Sequence, residues 1–288
     1  MIKVPHLVQY QGSKRILAPI IAKYFPHKIN RLIEPFSGTG AVSIYTAAHS
    51  MCDKFILNDL NSPIIDMFEE CINFPEKLYE EYKSIWDRQF LEGINPIDYY
   101  YEMRDKFNQK KSIPALTLFI LSRVAKGAIR YNSSGEMNQI CDKRRFGTKP
   151  ETIRNSALAI SSLLKGKVVF YRTDYRKVLE KARPGDLLYM DPPYQGVAQG
   201  LSSRYISSLP FDEFVDSLDD LNKKHIDFIV SYDGKTGDKT FGQELPSYLN
   251  CQHLLINAGR SSQATLNGKK AFTYESLYLS KNLRKDDE

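Results

Sequence analysis

Short apolar runs and amphipathic stretches alternate along this chain in an order that predicts its elements. Residues 31–35 read as a brief buried strand, the Gly-rich turn Phe36-Ser37-Gly38-Thr39-Gly40 follows, and the small apolar residues of 41–48 form a helix. A second strand over 54–58 ends at Asp59, and Ser62-Pro63 supplies a cap and first-turn pair for the next helix. From 75 to 164 the period becomes that of amphipathic helices, broken by turn chemistry at Gly93-Ile94-Asn95-Pro96 and by a polar, basic loop over 131–149. Apolar strands resume at 168–171, 186–190 and 226–231, with a helical stretch over 210–223 and a last strand at 275–279. This alternation predicts an α/β fold with a helical insertion after the second strand–helix unit. The expected division is residues 1–72 and 166–288 for the sheet domain and 73–165 for the insertion.

Composition narrows the class. With 288 residues, 42% hydrophobic and 14 prolines, the chain reads as a globular protein able to bury a sizeable core, which excludes disordered and fibrous classes. The longest apolar runs, such as 115–121, fall short of the ~20 residues a spanning helix needs. Residues 1–10 contain Lys3 and Pro5 and no apolar signal segment, so a cytoplasmic location with no membrane partner is expected. Cys52, Cys71, Cys141 and Cys251 lie far apart, without the paired spacing of a zinc site, and no metal is expected. None of the five histidines sits in a motif.

Charge changes the picture more than composition does. Residues 104–154 hold twelve Lys or Arg against four Asp or Glu, so +8 sits in this stretch while the whole chain carries +6. A solvated helix face would account for such a run, as would a polyanion-binding surface whose cations release the counterions condensed on phosphates.

Two further features bear chemistry. A strand that stops at a Gly-x-Gly turn and enters a helix leaves backbone N–H groups free and lets a ligand approach closely. Asp59, nineteen residues after Gly40 at the next strand end, stands where an acidic side chain accepts ribose hydroxyls. The third glycine of a dinucleotide fingerprint and the Gly-Lys-Ser/Thr phosphate cradle are both lacking, which disfavours NAD and ATP. The second feature is Asp191-Pro192-Pro193-Tyr194 at the end of a buried strand. Two prolines stiffen the turn and remove two donors, which leaves a carboxylate and bare carbonyls beside an aromatic face. That set suits a planar group with an exocyclic amine, such as adenine.

Taken with these residues, the sequence resembles the adenine-specific DNA methyltransferases of the Dam type (D12 class). Tyr10-Gln11-Gly12-Ser13-Lys14 is similar to the family's amino-terminal cofactor motif and Glu34-Pro35-Phe36-Ser37-Gly38-Thr39-Gly40 to its glycine motif. Asn58-Asp59-Leu60-Asn61 resembles its ribose-binding motif, Thr173-Asp174-Tyr175 its adenine-recognising acidic motif, and Asp191-Pro192-Pro193-Tyr194 its catalytic motif. The segment from Arg130 to Asn138 resembles its DNA-reading hairpin, and 259–270 a carboxyl-terminal loop. The chain departs from relatives that read GATC by having Ala125-Lys126-Gly127 before Arg130 and no Pro-Phe-Gly after Asn138, so the reaction carries over better than the target sequence.

The resemblance implies a Rossmann-like class I methyltransferase sheet with an inserted, mainly helical target-recognition domain. It implies S-adenosylmethionine as cofactor, double-stranded DNA as partner, and methyl transfer to the N6 amine of a flipped adenine. A restriction endonuclease acting on the same site is a candidate partner, and a monomer or weak dimer is expected. Asp191, Pro192, Pro193 and Tyr194 would be catalytic. The cofactor would be held by Tyr10, Lys14, Glu34, Pro35, Phe36, Ser37, Gly38, Thr39, Gly40, Asp59, Asp174, Tyr175 and Asp191, with Lys14 pairing with the methionine carboxylate or bracing the site. DNA would be held by Arg123, Lys126, Arg130, Tyr131, Asn132, Ser133, Asn138, Lys143, Arg144 and Arg145. An RNA adenine methyltransferase and an inactive DNA-binding homologue remain the alternatives.

Overall fold

The computed structural model describes residues 3–110, 112–124, 127, 129–193, 209–236, 239–241, 243–260 and 272–283. In chain order the strands are β1 (Leu32–Glu34), β2 (Phe55–Asn58), β3 (Val168–Tyr171), β4 (Leu187–Met190), β5 (Asp227–Thr236), β6 (Lys239–Phe241), β7 (Gln252–Arg260) and β8 (Phe272–Leu279). The helices are α1 (Ala18–Ile21), α2 (Ala41–Ala48), α3 (Ser62–Asn73), α4 (Pro75–Arg88), α5 (Pro96–Gln109), α6 (Pro114–Arg123), α7 (Pro150–Leu164), α8 (Tyr175–Leu179) and α9 (Phe211–Lys223). From α3 to α7 each helix carries Pro in its first turn, where the missing N–H costs nothing and the fixed φ suits the helix. Asn95 caps α5, its Oδ1 accepting from the Ile97 amide at 2.9 Å.

The strands join in the order β3-β2-β1-β4-β5-β8-β7, with β6 hydrogen-bonded to β5 outside that path. Pairs among β3, β2, β1, β4 and β5 are parallel, whereas β8 runs antiparallel to β5 and β7. Alternate residues feed two cores. Leu32, Leu57 and Leu187 point into one, and Ile33, Ile56 and Leu188 into the other. Arg31 anchors the two central strands, donating from Nε (3.0 Å) and Nη2 (2.5 Å) to the Asp186 carboxylate. Such a bidentate pair fixes geometry as well as charge.

The chain builds outward from β1 to β3 and then returns to place β4 on the other side of β1. The strand order therefore reverses between β1 and β4, and a crevice at their carboxyl ends is the expected ligand site of an open α/β sheet. The helices between β2 and β3 do not stand apart. α7 packs on α2, α3 and α4, and α6 on α3, α4 and α5, so the insertion shares one apolar core with the first helices of the sheet. On the opposite face α9 buries Phe214, Val215, Leu218 and Leu221, a helical spacing. At roughly 1.5–3 kcal/mol for each large apolar side chain, those four residues hold α9 against the sheet.

Three differences from the sequence expectation stand out. Strands β6 and β7 have no counterpart in the expected elements, and β5 continues to Thr236 through a bulge between Ser231 and Gly234. Ser62 is the first helical residue of α3, and Asn61 takes the cap position.

Candidate active site

A cavity of about 450 Å³ opens at the β1/β4 reversal. Its wall takes in the 10–14 segment, the glycine loop, the loop after β2, the start of α8, Asp191 to Pro193 and the 129–131 stretch. Segments far apart in sequence thus meet at one strand-end crevice.

The glycine loop needs both of its glycines. Gly38 and Gly40 sit at φ of +50° and +61°, the left-handed region that favours glycine. A Cβ on Gly38 would come within 3.0 Å of the Tyr10 ring, and one on Gly40 within 2.7 Å of Phe68. Tyr10 therefore lies across the loop. Asp59 ties the loop to the next strand end, accepting from the Gly38 amide and from the Asn61 amide, each at 2.9 Å. Its surroundings push its pKa up, burial outweighing the backbone donors. Buried Asn58 joins three strand ends by donating to the carbonyls of Pro35 (2.8 Å) and Thr173 (3.0 Å) while accepting from the Thr173 amide (3.0 Å).

Glu34 lies at the end of β1, only 2% exposed, and accepts from the Ser43 amide (2.8 Å) and hydroxyl. Burial pushes its pKa up to about 7, with Asp191 adding a smaller push in the same direction. Phe36 packs on Tyr175, ring centroids 5.1 Å apart, and both rings meet Phe214. Asp174 caps α8 by accepting from the Arg176 amide at 3.0 Å, and the Arg176 guanidinium holds its carboxyl below the usual range.

Lys14 is buried at 5% exposure, with its ammonium 2.9 Å from Asp191 Oδ1 and 3.2 Å from Glu275 Oε2. Lys14 thus joins the end of β4 to β8. Pro192 and Pro193 line the cavity beside Asp191, whereas Tyr194 lies outside the described residues.

The 130–138 segment is a hairpin closed by pairing of Tyr131 with Met137. The Asn132 side chain organises its tip, accepting from the amides of Ser134 (3.0 Å) and Glu136 (2.9 Å). Ser133 and Asn138 are exposed. Tyr131 turns inward, its hydroxyl donating to Asn61 Oδ1 at 3.0 Å. Arg130 lines the cavity, with Nη2 3.4 Å from Gln11 Oε1. The hairpin root thus touches both the amino-terminal segment and the loop after β2.

The basic stretch divides sharply. Lys143, Arg144 and Arg145 are exposed, Arg145 3.4 Å from Asp142. Arg123, expected among the DNA contacts, is instead 1% exposed. Its guanidinium donates to the carbonyls of Arg145 (2.6 Å) and Pro96 (2.9 Å) and lies near the rings of Tyr100 and Phe146. It holds the loop from beneath. Lys126 and residues 261–270 of the expected carboxyl-terminal loop lie outside the described residues. Asn58 and Asn61, part of the motif around Asp59, prove to be site-building side chains, whereas Glu275 carries no local signal in the sequence.

A parallel sheet with a reversed β8 and a ligand cavity at its strand-order switch places the protein among Rossmann-like methyltransferase folds. Over residues 10–259 the chain matches the family of D12 class N6 adenine-specific DNA methyltransferases, and it belongs to that family. It is 32% identical to the DNA adenine methylase of Haemophilus influenzae, over 67% of this chain and 64% of that one. It is 28% identical to the Type II methyltransferase M1.LlaDCHI of Lactococcus lactis subsp. cremoris, over 65% and 64%. The DNA N-6-adenine-methyltransferase of Escherichia phage P1 is 27% identical over 79% of this chain and 30% of that protein. The chain therefore spans just under two thirds of the length of the first two relatives. Among the described residues, no helix is long and apolar enough to cross a membrane.

Proposed function

We propose that the protein transfers a methyl group from S-adenosylmethionine to the N6 amine of an adenine extruded from duplex DNA. One observation carries this reading: the glycine loop, Asp59 and Asp191-Pro192-Pro193 line a single cavity at the sheet's switch point, with the 130–137 hairpin at its rim. The cavity fits the cofactor. Its volume lies in the range of small-molecule sites, the Asp59 and Asp174 carboxylates suit ribose hydroxyls and an adenine amine, and Tyr10 and Phe36 form apolar wall. S-adenosylmethionine would supply an electrophilic methyl group, its carbon–sulfur bond breaking to leave a neutral thioether as the bond to N6 forms, and one amine proton would then be lost to solvent.

The chain's own residues then do positioning and electrostatics. The Asp191 carboxylate and the Pro192 carbonyl accept the two N–H bonds of the target amine and direct its lone pair across the cavity. The prolines keep that turn stiff and free of competing backbone donors. Tyr194 stacks on the extruded base, whose unstacking costs a few kcal/mol. Lys143, Arg144 and Arg145 meet phosphates, while the helical insertion and its hairpin read the site, Arg130 through its paired donors to guanine.

The test is direct. Purified protein is mixed with S-adenosylmethionine and duplex DNA, and the nucleosides released by digestion are analysed by mass spectrometry. N6-methyldeoxyadenosine is the expected product. Methylation of an RNA of the same sequence, with DNA left unmodified, would replace DNA by RNA as substrate. DNA binding with no transfer to either would mark an inactive homologue.

A further inference from the structure

Glu275 lies on β8, two strands away from β4, and nothing in the motifs marks it. It nevertheless reaches the reacting end of the sheet. The register of β5 and β8 slips between Ser231 and Gly234, a bulge of the kind that re-aims side chains. At that place Ser231 Oγ donates to Glu275 Oε2 at 3.0 Å, and the same oxygen stands 3.2 Å from the Lys14 ammonium. Lys14 also holds Asp191, at 2.9 Å. A buried ammonium needs compensation, and here two carboxylates provide it.

We infer that Glu275 is a positioning residue for methyl transfer, acting through Lys14 to keep Asp191 an oriented acceptor that is still negatively charged. This rests on the reaction proposed above. Without Glu275, Asp191 would be drawn further into its ion pair with Lys14 and weakened as an acceptor. With Glu275 sharing the ammonium, the three groups keep a net charge of −1. Positive charge that develops on N6 during methyl transfer is stabilised by that excess, in a site where fixed charges act at close range.

The experiment compares wild type, Glu275→Gln, Lys14→Met and the double variant by single-turnover methyl transfer to duplex DNA, with cofactor affinity measured by calorimetry and folding by thermal melting. Glu275→Gln retains the shape and the Ser231 hydrogen bond but loses the charge. Its kcat is expected to fall about tenfold, less than the roughly 100-fold or greater loss typical when a group at the reacting centre is removed, with cofactor affinity unchanged. In the Lys14→Met background the same substitution is expected to cost nothing further, since Glu275 works only through that ammonium. If Glu275→Gln does not fold, Ser231→Ala loosens Glu275 without removing its charge, and a several-fold loss of kcat is expected. Full activity of the folded variant, or equal losses with and without Lys14, overturns this inference while leaving the reaction standing. A wild-type protein that transfers no methyl group overturns both.

Discussion

At the switch-point cavity, Glu34, Asp59, Lys14 and Asn58 are each held by a named amide, hydroxyl, carbonyl or carboxylate, and Glu34 and Lys14 are nearly sealed from solvent. In the basic loop, Lys143, Arg144 and Arg145 stand exposed, and Arg145 lies 3.4 Å from Asp142. The first region holds its groups in fixed places, as the proposed chemistry requires, since catalytic groups lose force if they move by an ångström. The second is suited to phosphates, where solvated cations give affinity without demanding one geometry. Substitutions should therefore have large, specific consequences in the cavity and small, salt-dependent ones in the loop.

The largest expected effect is that of Asp191→Ala. Loss of the acceptor at the reacting amine should reduce single-turnover methyl transfer by about two to three orders of magnitude with the protein still folded and binding DNA. A rate within tenfold of wild type would remove Asp191 from the centre of the comparison.

Glu34 tests the cavity's burial. Its folded-state pKa of about 7 lies above the ordinary 4.5, so it contributes stability below pH about 4.5 that is lost as the pH rises through 7. Relative to Glu34→Gln, wild type should lose about 3 kcal/mol over that window, read from urea midpoints at pH 4.5 and 8. Equal pH dependence in the two proteins would mean that Glu34 is ionised in the fold.

Arg123 and Arg144 sharpen the contrast within one charged stretch. Arg123→Ala empties a buried guanidinium's place and removes the donors to the Arg145 and Pro96 carbonyls, and should cost about 2–4 kcal/mol in denaturant unfolding. Arg144→Ala, at the surface, should stay within about 0.5 kcal/mol.

Binding effects come last. Arg130→Ala should cost about 1–3 kcal/mol on the preferred site and relax preference at one base position, seen in methylation of a randomised library. An unchanged sequence preference with uniformly lower activity would assign Arg130 to the cavity wall alone. Replacing Lys143, Arg144 and Arg145 together should weaken all duplexes alike and make the salt slope shallower by roughly 0.9 per lost phosphate contact. An unchanged slope would leave the loop a merely solvated surface.

What the sequence reveals follows the same division. Strands β1, β2 and β4 and helices α2 to α7 and α9 have local signals, since each buries a run or stripe of apolar residues, and β3 is marked by its β-branched and aromatic residues although it is only partly buried. β7 has none, because as an edge strand it buries Ile256 and little else among Gln252, Asn257 and other solvent-facing positions. The glycine loop and Asp191-Pro192-Pro193 are legible because backbone conformation restricts which residues can stand there. The Lys14–Glu275 contact is not, since it joins opposite ends of the chain through a bulge that no periodicity announces. Arg123 misleads for a further reason: counting charge reveals that a stretch is basic but not which cations turn inward to satisfy loop carbonyls.

Methyl transfer to adenine N6 in duplex DNA is tested by single-molecule sequencing of DNA from cells that express this protein as their only DNA methyltransferase. N6-methyladenine is expected at one short recurrent site and is expected to be absent when the cells express Asp191→Ala instead. Unmodified adenine throughout, or the same methylated sites with the Asp191→Ala protein, would contradict it.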